Sequence, residues 1–299
     1  MRKNWLLCTL IVSAAALLGN ASGAGLAFHF STIDFPGSVR TIADGISPEG
    51  DIVGHYRDTT GKEHGFLLSG GQFSSIDYPG AIYTDARGIA PGGDIVGTFQ
   101  NAPGGPPNWH GFLLRGGVFS EIVVPDPASS GSYFLGSIAQ RITPTGEIYG
   151  CTHNFDFMAK MQGFVRHADG SFGVLDVPSS MNNGATPDGN IVAGLYNDMK
   201  TGLTHGYLVV NGNFEPFDVP GSNFTQAWDI NPSREVVGQF RDTNGRFHGF
   251  LLSGGTFTSI DPDGAISTSA VGINPAGDIV GQYTDAGGKT HGFLRSVAQ

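Results

Sequence analysis

Short β-rich runs broken by Gly, Pro and Asp recur along this chain from about residue 28 to its end. Residues 82 to 124 show the pattern well. Thr84–Ala90, Asp94–Phe99, Gly111–Leu114 and Val118–Val123 read as four strands, with tight turns at Pro91-Gly92-Gly93 and Arg115-Gly116-Gly117. Apolar, β-branched and aromatic runs bounded by turn residues are the signature of hairpins. No segment holds a helical period over a useful length. The second strand returns as Gly50-Asp51-Ile52-Val53-Gly54, Gly146-Glu147-Ile148-Tyr149-Gly150, Gly189-Asn190-Ile191-Val192, Arg234-Glu235-Val236-Val237-Gly238 and Gly277-Asp278-Ile279-Val280-Gly281. The fourth returns as Ile76-Asp77, Leu175-Asp176, Phe217-Asp218 and Ile260-Asp261.

A tripeptide sets the period. His64-Gly65-Phe66, His110-Gly111-Phe112, Gln162-Gly163-Phe164, His205-Gly206-Tyr207, His248-Gly249-Phe250 and His291-Gly292-Phe293 place their glycines 46, 52, 43, 43 and 43 residues apart. A period in this range, with four antiparallel strands in each unit, predicts the blades of a β-propeller. The expected units are 39–77, 82–124, 134–176, 181–218, 223–261 and 266–295. The last lacks a fourth strand, and Phe28–Asp34 matches the missing pattern. Pairing the two would close the ring and remove two exposed sheet edges. The expected fold is therefore all-β: one six-bladed propeller over residues 28–297, closed by its N-terminal strand.

Composition narrows the setting. Arg2 and Lys3, the apolar run Trp5–Leu18 and the small residues Ala21-Ser22-Gly23 read as a secretory signal over residues 1–23. Its removal leaves 14 basic against 26 acidic residues, a charge of −12. That balance argues against nucleic acid and against an anionic membrane surface, and no later stretch is apolar enough to span a bilayer. Cys151 is the one cysteine beyond the signal, so no internal disulfide is expected. The expected product is a secreted monomer, extracellular or periplasmic, with no cofactor and no metal.

The segments Gly272-Ile273-Asn274, Gly277-Asp278-Ile279-Val280-Gly281 and His291-Gly292-Phe293-Leu294 resemble a family of bacterial extracellular repeat proteins named for a His-Ala-Phe tripeptide. The resemblance covers almost all of the chain beyond the signal, with glycine in place of the family's alanine throughout. It implies secretion and a propeller-like repeat, and it implies no defined activity.

The repeated His64, His110, His205, His248 and His291, with the repeated Asp34, Asp77, Asp176, Asp218 and Asp261, fall one per unit. Such residues are spread round a ring, so they read as structural hydrogen bonds rather than as a metal or catalytic set. Val123 stands where the second unit should carry its Asp, which points to a backbone partner for His110. The Asp58–Gly61 and Asp242–Gly245 loops read as turns, since they lack the dense acidic alternation of calcium loops. Phe66, Phe112, Phe164, Tyr207, Phe250 and Phe293 read as core.

Departures from the repeat point to function. Insertions at residues 100–109, 126–137 and 151–161 should share one rim of the ring, because both loop classes emerge on the same face. They bring Trp109, Tyr133, Phe134, His153 and Asp156 as candidate ligand-binding residues. The leading expectation is a binding module for a carbohydrate (glycan), a peptide or a surface protein partner. The alternatives are a propeller-type polysaccharide lyase or glycoside hydrolase, with His153, Asp156, Asp85 and Arg87 as its acid–base candidates, and a structural cell-surface repeat protein. No paired carboxylates, nucleophile elbow or metal-spaced Cys/His set is legible.

Overall fold

The computed structural model describes residues 28–104, 108–125, 136–153, 161–174, 177 and 179–297. The expected signal segment lies outside them. The described residues form 24 strands and no α-helix.

Strand β1 (Phe28–Ile33) pairs with nothing near it in sequence. β2 (Arg40–Ile46), β3 (Ile52–Arg57), β4 (Glu63–Ser69) and β5 (Gln72–Ile76) form an antiparallel meander. So do β6 (Tyr83–Ile89), β7 (Ile95–Gln100), β8 (His110–Arg115) and β9 (Val118–Ile122). The next meander is β10 (Gly136–Ile142), β11 (Ile148–His153), β12 (Gln162–Arg166) and β13 (Phe172–Val174). Then come β14 (Ser180–Ala185), β15 (Ile191–Asp198), β16 (Leu203–Val210) and β17 (Asn213–Phe217). β18 (Phe224–Ile230), β19 (Val236–Arg241), β20 (Phe247–Ser253) and β21 (Thr256–Ile260) follow. The chain ends on β22 (Ser267–Ile273), β23 (Ile279–Thr284) and β24 (Thr290–Val297). β1 completes this last sheet, antiparallel to β24, with Phe30 opposite Arg295 and Ile33 opposite Gly292.

The sheets follow one another round a closed circuit. β3 touches β6, β7 touches β10, β11 touches β14, β15 touches β18, β19 touches β22, and β23 returns to β2. First strands are almost wholly buried and outer strands largely exposed, as in β10 and β5, so the first strands lie innermost.

The core fills the spaces between neighbouring sheets. One layer joins Ile33 and Val280 of the last sheet to Ala43, Ile52 and Phe66 of the first meander. The six aromatics of the tripeptides are all fully buried. A glycine in each second strand makes room for them. A Cβ on Gly54 would lie 2.0 Å from the Ile42 carbonyl and 2.9 Å from the Phe66 ring. At Gly238 the same atoms would be the Gln226 carbonyl, at 2.0 Å, and the Phe250 ring, at 2.6 Å. Glycine and aromatic are thus two halves of one contact on adjacent strands.

Candidate binding site

Each of the six first strands carries a β-bulge, between Ala43/Gly45, Ala86/Gly88, Ala139/Arg141, Asn182/Gly184, Ala227/Asp229 and Ala270/Gly272. A bulge leaves one residue out of the ladder and re-aims its side chain. The bulged residues are Asp44, Arg87, Gln140, Asn183, Trp228 and Val271, and no two are alike. The scaffold repeats, but its innermost chemistry does not.

The position after each bulge forms a neck. It is glycine in four strands, where neighbouring backbones crowd together: a Cβ on Gly45 would lie 2.6 Å from the Arg87 carbonyl. The exceptions are Arg141 and Asp229. Arg141 Nε stands 3.0 Å from Asp229 Oδ2. Arg141 Nη1 donates to the carbonyls of Arg87 and Gln140, and Nη2 to those of Asp44 and Val271. Asp229 accepts in turn from the Ile230 and Ile273 amides. One ion pair therefore bridges the first strands of five meanders. Burial holds the Asp229 carboxyl above its usual range, against the pull of Arg141. On the short-turn side, Arg141 and Asp229 line a hollow together with Pro48, Pro91, Pro144, Pro187, Pro232 and Pro275.

A second cavity, of about 330 Å³, is lined by Arg87, Gln140 and Trp228 together with Trp109. Met161, Met181, Leu195 and Phe224 give it apolar walls. The indole Nε1 atoms of Trp109 and Trp228 and Nε of Arg87 are buried with no hydrogen-bond partner among the described residues. Such donors cost roughly 1–3 kcal/mol each when left unmet.

Behind Arg87 lies a fully buried ionic cluster. Arg87 Nη2 is 2.7 Å from Asp85 Oδ2, and Nη1 donates to Gln140 Oε1 at 3.0 Å. His55 Nδ1 donates to Asp44 Oδ2 at 2.9 Å and lies 3.0 Å from Asp85 Oδ1. Burial alone would strip the His55 proton, but the charges of Asp85 and Asp44 override it and hold its pKa up to about 10. Asp85 would likewise rise on burial, yet Arg87 and His55 keep it well below the usual carboxylate range. Burial and the Asp85 charge push Asp44 up. The Asp44, His55 and Asp85 ligand atoms lie within 4.8 Å of one another, close enough to suggest a metal. A cation there would have to displace the imidazolium proton and compete with Arg87 for Asp85. Neither carboxylate lines the cavity.

The expected site residues divide. Trp109 lines the cavity. His153 is not an exposed rim residue: it is fully buried, with Nε2 3.2 Å from Cys151 Sγ and the Trp109 ring edge-on at 6.1 Å. Burial, and then Arg87, lowers His153 to about 4, while burial pushes Cys151 up to about 12. The pair is neutral and the thiol is no nucleophile. Tyr133, Phe134, Asp156 and Asp176 lie outside the described residues, as do most of the three insertions. Of the acid–base candidates, Asp85 and Arg87 belong to the buried cluster.

The repeated histidines have side-chain partners. Nδ1 donates to Asp77 from His64 (2.8 Å), to Asp218 from His205 (2.9 Å), to Asp261 from His248 (2.8 Å) and to Asp34 from His291 (2.9 Å). Each imidazole also stacks on the aromatic of the neighbouring strand, as His64 does on Tyr56. The backbone partner expected for His110 is replaced by Glu121, whose Oε1 lies 2.9 Å from Nδ1. Glu121 sits two positions before Val123, still on the outer strand, and reaches back to the ring. In the turn loops, Asp58 Oδ1 accepts from the Thr60 and Lys62 amides and Asp242 Oδ1 from those of Asn244 and Arg246.

Sequence reasoning missed Asp44, His55, Gln140, Arg141, Trp228 and Asp229. Their signal is a point departure at a repeated position, such as Arg141-Ile142 and Asp229-Ile230 where three units read Gly-Ile and one reads Gly184-Ala185.

No family model matches the chain, and no curated protein matches it. Among solved structures the chain is similar to TolB from Acinetobacter baumannii, with TM-score 0.59 and 12% identity over 83% of this chain and 64% of that one. It thus spans 64% of that protein's length. It is similar to the β-propeller domain of the Trilobed protease from Pyrococcus furiosus, which has an open velcro topology (TM-score 0.50, 10% identity, 87% of this chain and 95% of that one). It is also similar to the Aleuria aurantia lectin in complex with Fucalpha1-6GlcNAc (TM-score 0.50, 11% identity, 90% and 97%). At these identities the likeness carries the fold alone. Among the described residues no helix is long and apolar enough to cross a membrane. The all-β sheets, their closed circuit and these neighbours together make the chain a β-propeller.

Proposed function

We infer that this chain is an exported, monomeric, six-bladed propeller that acts as a binding module, each meander being one blade and β1 closing the sixth. Its ligand enters the cavity between Trp109 and Trp228. One observation carries this reading: Trp109 and Trp228 line the same cavity as Arg87 and Gln140, and neither buried indole N–H meets an acceptor among the described residues. A site assembled from irregular residues on a regular scaffold suits ligand recognition, in which rigid aromatic surfaces and a few fixed polar groups set orientation. The signal-like residues 1–23 support export, and the His-Gly-Phe tripeptides support kinship with the His-Ala-Phe repeat proteins.

The test uses the tryptophans themselves. After Trp5 the chain has only Trp109 and Trp228, so emission from the mature protein reports on the cavity. Titration with a panel of glycans, peptides and small organic acids should give a saturable emission change for at least one class. Calorimetry on Trp109→Ala and Trp228→Ala should show that ligand bound at least tenfold more weakly. A ligand whose affinity is unchanged by both substitutions would place binding elsewhere.

A further inference from the structure

We propose that the cavity takes a carboxylate carried on an apolar body, with Arg87 as its counter-charge. This rests on the reading of the cavity as the binding site and names the ligand's chemistry. Among the described lining residues Arg87 is the sole charged side chain, and there is no acid. The lining atoms left without a partner among the described residues are all buried donors: Arg87 Nε, Gln140 Nε2 and the two indole Nε1 atoms. The amide oxygens in the wall already accept. Gln140 Oε1 takes Arg87 Nη1, Gln226 Oε1 takes Gln239 Nε2, and Asn197 Oδ1 takes the Thr204 hydroxyl.

A neutral sugar brings hydroxyl donors as well as acceptors, and its donors would have to share oxygens that each already hold one hydrogen bond. A carboxylate brings acceptors only. The walls of Met161, Met181, Leu195 and Phe224 suit an apolar group rather than a hydroxylated one. The volume, about 330 Å³, is at the small end of ligand pockets, enough for one ring or a branched chain. The cluster behind the cavity fits the same role. Asp85 holds one edge of the guanidinium and fixes its plane, while the imidazolium of His55 offsets the Asp85 charge. Asp44, Asp85 and His55 are thus positioning residues. Two sources present this chemistry: a free organic acid, and the terminal carboxylate of a peptide ending in an apolar residue.

The experiment is a tryptophan-emission titration of the wild-type mature chain with two matched pairs. One is 4-phenylbutyrate against 4-phenylbutyramide. The other is acetyl-Ala-Ala-Phe with a free carboxylate against the same peptide amidated. At least one acid should bind at least tenfold more tightly than its amide, as expected for a charge-assisted bond. The pair showing the difference identifies the source. Arg87→Gln should lower acid affinity at least tenfold and leave amide affinity within about twofold, with Arg87→Lys recovering part of the loss. Should Arg87→Gln fail to fold by circular dichroism, the acid-to-amide ratio on the wild type still decides. Acid and amide binding equally would overturn the carboxylate and leave the cavity reading standing, as would a neutral glycan binding where both acids fail. Silence from every class would overturn both.

Discussion

His55 shows how one buried side chain ties pH to stability. Its Nδ1 faces Asp44 and Asp85 together, and their charges outweigh burial to hold the proton up to about pH 10. In the unfolded chain the imidazole titrates near 6.5, at about its ordinary value. The folded pKa is raised, so this contribution is complete below about pH 6.5 and is lost as pH climbs towards 10. Urea unfolding from pH 6 to pH 10 should show falling stability, and His55→Gln should flatten that slope while lowering stability at pH 6. An unchanged slope in His55→Gln would remove the imidazolium from the cluster. His153 runs the other way. Burial lowers it to about 4, so its neutral form favours folding above about pH 6.5 and that advantage fades towards pH 4.

At the scale of the strand, two positions govern each meander. One is the glycine of the second strand under the buried aromatic of the third, and the other is the bulge of the first. Gly238→Ala would place a methyl 2.0 Å from the Gln226 carbonyl and 2.6 Å from the Phe250 ring. Overpacking of this kind costs about 1–3 kcal/mol, and the backbone clash puts Gly238→Ala at or above the top of that range. Urea midpoints should fall accordingly, while Gly245→Ala, in an open turn at φ 87°, should cost less. Strand positions were legible because they recur in every unit; that a second-strand glycine lies beneath each aromatic, down to Gly194 beneath Tyr207, emerges only from the structure. The Tyr207 hydroxyl lies 2.6 Å from Asn182 Oδ1 and 2.9 Å from the Met181 carbonyl, its one proton facing both acceptors. The bulged residues were not legible in the same way. Asp44, Arg87, Gln140 and Trp228 share no chemistry, and a bulge is a backbone irregularity that hydrophobic alternation does not reveal. Insertions drew the eye to His153, yet the fold buries it beneath Trp109. Glu121 was hidden because its side chain reaches across the register from a position two residues before the expected one.

Across the whole molecule, the closed circuit brings residues far apart in sequence to one axis. Arg141 and Asp229 meet at the neck and line the proline-rich hollow, while Arg87, Gln140 and Trp228 of the first strands line the cavity of Trp109. The other four strands carry glycine at this position, where a Cβ would crowd the neighbouring backbones. That juxtaposition exists only if the first strands converge as described, and the placement of the cavity depends on it. A double-mutant cycle tests it directly. Asp229→Leu, measured beside Arg141→Met, leaves a buried guanidinium short of its counter-charge and should cost about 3–5 kcal/mol in urea unfolding. The pair Arg141→Met with Asp229→Leu should recover most of that loss, giving a coupling of at least about 2 kcal/mol. Additive effects of the two substitutions would mean that these side chains do not meet, and would contradict the convergence on which the site is built.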